Sequence, residues 1–497
     1  MLTLFTGKGN KDCSGVSRRD FLQIGSLGVG TLTLANMLEL QAHARSATSS
    51  ATSNNNFIRD KAVVVLYLSG GASHIETFNP NMDAPSPYRS VTDDVKTSLP
   101  GVAFGGTFPR LAKWAHKMAI VRSFSHPIGG HEQAHLHVLS GGTDQKGTGK
   151  EGYAMGSVYA RLRGASHPDS GLPTNMLLTH QEIDGQYIKE IKRVIKGTRP
   201  GTLGPNYAPF NHHEDAGNTS SNSKRRSKSK SNNSQGKAPN SMAADMELNI
   251  EQNRFDDRRG LLQKLDRLRR DIESKGNLQS ADKYQQQAFE LVMGKASKAF
   301  DVNAENPQLI KKYDTSDIMI GKKLFRPSNL GKQFLMTRRL IEAGAGFITI
   351  HSAGWDMHAD GNNPPMVKGM NMLGTSMDRA VSTFLQDIKD RGLSDKVLLV
   401  ITGDFGRTPK LNNKGGRDHW ANLGPLAFAG GGLNMGQVIG KSDRNNGFPA
   451  TEPITPQMMM TTIMQTLFDP GILRLQSGLP SEFVKLVADQ KPIKELI

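Results

Sequence analysis

The sequence predicts an α/β fold with a mainly parallel central sheet and helices on both faces. Short runs at 62–68 and 397–401 consist almost wholly of apolar residues, which is typical of strands buried on both faces. Segments with helical spacing of apolar residues alternate with such runs, as they do when helices connect parallel strands. Glycine and polar residues follow the runs directly, and sites of open α/β sheets lie at this carboxyl edge.

The predicted elements follow one another in a regular order. We predict strands at 62–68, 118–121, 174–178, 347–351 and 397–401, and a further apolar run at 423–429. We predict helices at 108–117, 153–162, 255–275, 281–299, 328–343, 365–391 and 456–468. Thr455 is the expected N-cap of the last helix, and the methionines of that helix are expected to lie in the core.

The N-terminus resembles a twin-arginine export signal. Arg18 and Arg19 precede a mildly apolar stretch at 24–38, and small residues at 42–44 suit a cleavage site. The alternative is a basic helix that stays on the protein. The signal predicts contact with the twin-arginine export machinery and a periplasmic or extracellular location. The predicted segments are a signal peptide at 1–44, a linker at 45–60 and an α/β domain at 61–497 with insertions at 217–240 and 250–300.

The net charge of +16 suggests an anionic partner, but part of it is local. The segment 217–240 carries six of the positive charges and has no aromatic or large aliphatic side chain, which predicts a disordered surface insertion. It is either simply solvated or a tether to an anionic polymer or membrane. The helix at 255–275 interleaves acids with bases, which favours a salt-bridged helical insertion. Without aromatic residues among the bases, we expect no nucleic-acid binding.

Cysteine usage limits the chemistry. The only cysteine, Cys13, lies within the predicted signal, so the mature chain would have no disulfide, thiolate metal site or cysteine nucleophile. A metal would have to be bound by His, Asp and Glu, which favours zinc, manganese, calcium or iron. No apolar run after the signal approaches the roughly 18 residues of a membrane span.

Four predicted loops that follow apolar runs carry side chains able to bind a metal ion. The residues are His74 and Glu76, then His131 and His135, then Asp356 and His358, and finally Asp404 with His419 beyond it. Each pair alone is a weak signal. Because the carboxyl ends of parallel strands share one edge, we expect the four segments to converge on Asp404 and to suit a hydrolytic metal ion.

Five motifs together resemble the family called domain of unknown function 1501. They are SRRDF at 17–21, GGASHIETF at 70–78, GWDMH at 354–358, DFGRTP at 404–409 and GRDHW at 416–420. That family occurs mainly in planctomycetes and related bacteria, is sulfatase-like and is related to the alkaline phosphatase superfamily. The resemblance covers residues 18–467 apart from the Ser/Lys-rich insertion, and it implies an alkaline phosphatase-like α/β fold.

The resemblance also implies roles for individual residues. Relatives have an acidic metal ligand after the first strand, where this chain has His74 and Glu76. Their Asp/His pair is similar to Asp356 and His358 at a tighter spacing, and their closing histidine to His419. Where they have Asp-His, this chain has Asp404 followed by Phe405.

The nucleophile position departs from the pattern of relatives. Sulfatases place Cys, Ser or Thr ten residues before a glycine that matches Gly141, and the same count leads here to His131. His131 is therefore expected as a metal ligand or a covalent nucleophile, and His135 matches a position that is often His or Arg. Arg407 and Lys410 are expected to neutralise ester oxygens, with bracing of the loop as the alternative for Arg407.

Two functions follow from the sequence. The first is an exported metal-dependent hydrolase of phosphate or sulfate esters, acting on a small anion or a sulfated polysaccharide. In this hydrolase the ion is bound by Asp356, His358, Asp404 and His419. Supporting residues are His74, Glu76, His131 and His135. The second is a catalytically altered, metal-containing protein that binds anionic envelope or extracellular polysaccharide. The replaced nucleophile, Phe405 and the basic insertion at 217–240 favour the second.

Overall fold

The fold is built around one large sheet whose central strands are completely buried. The computed structural model describes residues 57–179, 187–211 and 295–497. The predicted signal peptide, nearly all of the predicted linker, the insertion at 217–240 and most of the insertion at 250–300 lie outside these residues. Apart from Lys295, the described residues belong to one compact unit.

The strands are short, as is usual for an α/β domain. They are β1 Ala62–Leu68, β2 Asp94–Lys96, β3 Ala103–Gly105, β4 Met118–Val121, β5 Asn175–Leu178, β6 Phe210–Asn211, β7 Met319–Ile320, β8 Arg326–Pro327, β9 Phe347–Ser352, β10 Val397–Gly403, β11 Gly406–Arg407, β12 His419–Trp420, β13 Leu426–Gly430 and β14 Gln437–Ile439.

Helices occupy much of the sequence between strands. The α-helices are α1 His74–Thr77, α2 His131–Leu139, α3 Met155–Arg163, α4 Ile188–Gly197, α5 Lys295–Phe300, α6 Pro307–Tyr313, α7 Leu330–Glu342, α8 Met366–Gly369, α9 Thr375–Asp390, α10 Pro456–Leu467, α11 Pro470–Arg474 and α12 Ser481–Val484. Single 3₁₀ turns or short 3₁₀ helices lie at Ser86–Tyr88, Leu111–Lys117, Gly201–Leu203, Pro205–Tyr207 and Val302–Ala304. π-helical turns lie at Met370–Gly374 and Lys485–Asp489.

The main sheet confirms the predicted architecture. Its eight strands have the order β14-β4-β13-β10-β1-β9-β5-β6, and β13 runs antiparallel to both of its neighbours while the other pairs are parallel. All seven residues of β1 are buried, although successive side chains point to opposite faces, so both faces are covered. Leu68 at the end of β1 pairs with Ser352 and Gly403, which places the ends of three parallel strands side by side.

Most elements predicted from apolar runs are confirmed, with shifts of a few residues at their ends. β1 and β4 have the predicted bounds, and the methionine-rich α10 is capped by Thr455, whose side chain accepts a hydrogen bond from the Met458 N–H. Met459, Met460 and Met464 of this helix lie in the core, as predicted. The helix predicted at 365–391 contains a π-helical turn between α8 and α9.

Two local predictions are wrong. The histidine-rich segment was expected as a loop, but His131–Leu139 forms helix α2, whose last six residues are all buried. Its histidines interrupt the apolar pattern, so the helical period is not visible in the sequence. His74 and Glu76 were also expected in a loop, but they lie in the one-turn helix α1, which Ser73 caps. No helix in the described part of the chain is long and apolar enough to cross a bilayer.

Candidate metal centre

The site lies where three neighbouring parallel strands end. Beyond β1 the chain turns through Gly70 and Gly71, which have positive φ angles of 106° and 79°. A Cβ on Gly70 would lie 2.7 Å from the Asp356 backbone nitrogen, and a Cβ on Gly71 would lie 2.6 Å from the ring of Phe405. Only glycine allows both the backbone conformation and this close approach, so the turn can lie directly against the loops that follow β9 and β10.

Asp404 is the first residue after β10 and is completely buried. Its Oδ1 accepts hydrogen bonds from the N–H groups of Gly70 (3.0 Å) and Gly71 (2.6 Å). Its Oδ2 lies 2.5 Å from His131 Nδ1, and its carbonyl oxygen accepts from His126 Nε2 at 2.7 Å. Burial opposes ionisation of Asp404, but His135 and His131 hold its pKa well below the ordinary value. It is therefore a fixed negative charge.

Asp356, on the loop after β9, is the second carboxylate of the site. Burial opposes its ionisation, but the surrounding imidazoles and the Arg407 guanidinium hold its pKa far below the ordinary value. Its Oδ1 also accepts a hydrogen bond from Arg407 Nη2. Three imidazole nitrogens in the described part of the chain face it: His358 Nε2 at 3.3 Å, His131 Nε2 at 3.4 Å and His419 Nε2 at 3.4 Å.

The spacing of these atoms is that of metal ligands more than that of hydrogen-bonding partners. N–H···O hydrogen bonds usually span about 2.9 Å, whereas two donors that each lie about 2.0–2.1 Å from one tetrahedral zinc ion are about 3.3 Å apart. The buried Nε2 of His131 has no hydrogen-bond partner in the part of the chain that the structure describes. A partner-free imidazole nitrogen facing a carboxylate at this spacing fits a cation site.

His131 stands between the two carboxylates. Burial lowers its pKa, but Asp404 and Asp356 outweigh that effect and raise the pKa to about 9. Its ring packs against Phe405, with centroids 4.7 Å apart, and against His419 at 4.3 Å. Two carboxylates around one imidazole favour positive charge at this point, supplied by a proton or by a metal ion.

His135 lies one helical turn after His131, on the inner side of the site. Its Nδ1 lies 2.7 Å from the carbonyl oxygen of His131 and 3.6 Å from Asp404 Oδ2. Its Nε2 lies 2.7 Å from the hydroxyl of Ser69. A carbonyl can only accept, so Nδ1 carries the hydrogen and Nε2 accepts from Ser69. Burial lowers the pKa of His135, which agrees with a neutral ring.

Within the described residues, geometry defines two groups that could each hold an ion, and both contain His131. The first consists of His131, His135 and Asp404, and the second of His131, Asp356 and His419. His358 adjoins the second group through Asp356. Five of the residues predicted for the site are thus brought together around His131, and His358 lies next to them.

His74 and Glu76 are not part of either group. Glu76 Oε1 forms a completely buried ion pair with Arg417, at 3.1 Å from Nη2. His74 Nε2 donates to the carbonyl oxygen of Asn446 at 3.0 Å, and burial lowers its pKa to about 4. Both residues connect helix α1 to the loops beyond β10. Among the described residues, no contact joins either of them to Asp356 or Asp404, so the structure gives no support to their predicted role as metal ligands.

The two predicted anion-binding cations differ in environment. Arg407 is completely buried, and its donors point to the carbonyl oxygens of Gly70, Gly71 and Arg417 as well as to Asp356. This arrangement corresponds to the alternative in which Arg407 braces the loop. Lys410 is exposed, and its carbonyl oxygen accepts a hydrogen bond from Thr408.

Three residues near the site were not predicted. Ser69 follows β1 directly and contacts His135. Asn363 Nδ2 lies 3.3 Å from Asp356 Oδ2 and 3.1 Å from His358 Nε2. Glu190 of α4 accepts from the Gly354 N–H at 3.0 Å, and its pKa is raised to about 8 by burial first and then by Asp356 and Asp404. Ser69 could have been found because it directly follows the first strand, whereas the other two have no local signal.

The fold and the site together define an α/β protein with a histidine- and aspartate-based group able to hold a metal ion. The chain belongs to the family described as Protein of unknown function (DUF1501), whose model matches residues 60–497. This confirms the family resemblance for the four motifs within 70–420, whereas the SRRDF motif at 17–21 lies outside the matched residues. No curated protein matches the chain.

Several solved structures share a general likeness with this chain. A sulfatase from Pseudoalteromonas sp. is 11% identical, with a TM-score of 0.33 and coverage of 87% of this chain and 71% of the sulfatase. The lipoteichoic acid synthase LtaP from Listeria monocytogenes is 10% identical, with a TM-score of 0.35 and coverage of 84% and 74%. Phosphonate monoester hydrolase from Silicibacter pomeroyi is 10% identical, with a TM-score of 0.33 and coverage of 87% and 76%. Likeness at this level supports no conclusion about activity or substrate.

Proposed function

We propose that this protein is an exported, metal-dependent hydrolase of phosphate or sulfate esters. The observation that carries the proposal is the convergence of three imidazole nitrogens on the carboxylate of Asp356 at ligand-like spacing. The N-terminal sequence pattern supports export through the twin-arginine pathway, to the periplasm or the cell exterior.

The residues present fit a divalent ion. The partner-free Nε2 of His131, the carboxylate of Asp356 and the Nε2 of His419 would hold it. His358 Nε2 would be a fourth ligand once it gives up its hydrogen bond with Asn363 Nδ2. Three nitrogens and one carboxylate suit zinc better than calcium, which prefers an all-oxygen shell; manganese is the next candidate. A bound ion would act as a Lewis acid on the ester and lower the pKa of a water molecule.

The surrounding residues maintain this arrangement. Arg407 fixes Asp356 and the glycine turn relative to each other. Phe405 is fully buried beneath the imidazoles of His131 and His419, with ring centroids 4.7 and 4.8 Å away, and restricts their rotation. Burial raises the pKa of Glu190 and so favours its neutral form, which adds no negative charge that would repel an anionic ester.

The site chemistry favours an anionic substrate. A divalent cation supplies positive charge where Asp356 and Asp404 alone would repel phosphate or sulfate. The ester would be carried by a small molecule or by a sulfated polysaccharide at the cell exterior, in line with the net charge of +16.

The test is turnover of nitrophenyl phosphate, bis-nitrophenyl phosphate and nitrophenyl sulfate by purified protein with zinc, manganese or calcium. We expect metal-dependent turnover that falls by at least about 100-fold in H419A, because a ligand is lost. The matched control is H116A, which removes an exposed histidine that contacts Ser98 and should leave turnover unchanged. Turnover that is absent with every ester, or unaffected by H419A, contradicts the proposal.

A second function is favoured by the environment of Arg407. Its Nε and both Nη atoms donate to main-chain carbonyls and Asp356, so this guanidinium is not directed at an ester. A metal-containing protein that binds anionic polysaccharide without cleaving it agrees with that arrangement. Such a protein would retain dextran sulfate in preference to neutral dextran, in a salt-sensitive manner, and would hydrolyse none of the esters.

A further inference from the structure

We infer that Asp404 is a positioning residue, which holds the His131 imidazole in place for the ion and does not bind the ion itself. The inference rests on the proposed metal centre and assigns His135 and Ser69 to the same supporting role. It differs from the sequence-based prediction, in which Asp404 and His135 are ligands.

The first step concerns the oxygens of Asp404. Oδ1 is occupied by the N–H groups of Gly70 and Gly71, and Oδ2 lies 2.5 Å from His131 Nδ1. The side chain is completely buried, so it cannot rotate away from these donors without leaving two main-chain N–H groups unpaired. Both oxygens are thus engaged in hydrogen bonds that orient other groups.

The second step concerns the hydrogens of His131. A carboxylate oxygen accepts, so the hydrogen between His131 and Asp404 lies on Nδ1. In the neutral ring the lone pair is then on Nε2, the atom that faces Asp356 and has no hydrogen-bond partner. A carboxylate that fixes one imidazole nitrogen while the other faces a metal position is a common arrangement behind metal-binding histidines.

The third step concerns His135. Its Nδ1 hydrogen is donated to the carbonyl oxygen of His131, and its Nε2 accepts from Ser69. In the group with His135 and Asp404, the two imidazole nitrogens nearest Asp404 Oδ2 therefore both carry hydrogens: His131 Nδ1 donates to Oδ2 itself, and His135 Nδ1 donates to the His131 carbonyl oxygen. In the group with Asp356 and His419, the neutral His131 ring presents the lone pair of Nε2 towards Asp356. A single ion next to Asp356 would therefore use the available ligand atoms. The hydrogen bonds that link Ser69, His135 and His131 connect the end of β1 to the start of α2.

The experiment compares D404N with D356N in purified full-length protein loaded with zinc or cobalt. In D404N the Gly70 and Gly71 N–H groups require the amide oxygen at the Oδ1 position. The amide NH₂ then faces His131 Nδ1, which forces the ring hydrogen onto Nε2, the proposed ligand atom. We expect D404N to keep one ion per chain with a Kd raised about 10- to 100-fold, and D356N to lose stoichiometric binding.

Three readouts distinguish positioning from structural damage. Circular dichroism of the metal-free variants reports folding, elemental analysis reports stoichiometry, and the visible spectrum of the cobalt-loaded protein reports the ligand set. We expect D404N to retain the wild-type cobalt spectrum and S69A to raise the Kd by less than about tenfold, since it acts one bond further away. If a variant fails to fold, S69A still tests the chain of contacts.

Each contrary result has a separate meaning. Loss of an ion in D404N, a changed cobalt spectrum, or an unchanged Kd in D404N and S69A would overturn the positioning role. A wild-type protein without bound or bindable metal would instead overturn the proposed function. If folded D404N loses the ion while the wild-type protein binds one ion, only the present inference is removed.

Discussion

Two buried charged clusters of this protein differ in how completely they are satisfied. In the first, around Arg338 of α7, the guanidinium donates to Asp387 at 3.1 Å, to Glu342 at 2.7 Å and to Glu305. The hydroxyl of Tyr313 donates to the same Asp387 oxygen at 2.9 Å. Each guanidinium nitrogen of Arg338 has a carboxylate partner, so this cluster requires no further ion.

The second cluster, around Asp356, is only partly satisfied, because Arg407 and Asn363 donate to the carboxylate but the imidazoles do not reach it at hydrogen-bond length. The imidazoles stand 3.3–3.4 Å from the Asp356 carboxylate, beyond ordinary hydrogen-bond length, and His131 Nε2 has no hydrogen-bond partner among the described residues. Buried polar groups are nearly always paired, so an orphaned group requires an explanation. The comparison teaches that buried charge alone does not indicate a functional site. A functional site is indicated where several charged or ligating side chains converge and some of their polar atoms lack a partner.

The substitution with the largest expected effect disrupts the second cluster. D356N should lower metal-dependent ester turnover by about 10³- to 10⁴-fold, because it removes the carboxylate that three imidazoles share and with it a contribution of several kcal/mol. The variant should remain folded, as judged by near-ultraviolet circular dichroism. Turnover within tenfold of wild type would show that Asp356 is not central to the site.

The substitution with the next largest expected effect disrupts the first cluster. R338M should lower the free energy of unfolding by about 3 kcal/mol, the lower end for a broken buried ion pair. It removes the buried cation that three acidic side chains share, while Arg339 and Arg391 still contact those acids. Urea denaturation measures this change. Metal content per folded chain should equal that of wild type, and a loss of metal would mean that the two clusters are coupled.

A smaller effect appears at acidic pH. Burial opposes ionisation of Glu305, but Arg338 and the neighbouring donors lower its pKa from 4.5 to about 2. A folded-state pKa below the unfolded value stabilises the protein above about pH 4.5, and this contribution is lost as the pH falls from about 4.5 to about 2. E305Q should therefore lose less stability than wild type over that interval, and parallel curves of unfolding free energy against pH would contradict the assignment.

The smallest effect is expected at the surface. Lys410 is exposed, so K410Q should change kcat/KM for nitrophenyl phosphate by less than about twofold at physiological salt, where exposed charges are screened. The matched control is K414Q, at an exposed lysine of the same loop. A tenfold rise in KM confined to K410Q would instead support the sequence-based prediction that Lys410 binds the ester.

Much of the fold was predictable because buried parallel strands require continuous apolar runs. β1 and β4 match their predicted bounds, and β9, β10 and α10 differ from theirs by only one or two residues. The convergence of Asp356 and Asp404 followed from the same pattern, since both residues come shortly after such strands. Helix α2 was not predicted because His131, His135 and His137 occupy positions whose burial depends on the site and not on hydrophobicity.

The sequence by itself determined the sheet, the edge at which the site lies and the residue types available for a metal. Those properties depend on local apolar patterns and on composition. Only the tertiary structure decided which of those residues meet. It paired Glu76 with Arg417, brought Glu190 and Ser69 to the site, and placed the hydrogen-bonded Asp404 behind His131. The reason is that the direction of a hydrogen bond and the position of a ring hydrogen depend on neighbours hundreds of residues away. The spacing of residues along the sequence does not indicate which neighbours these are.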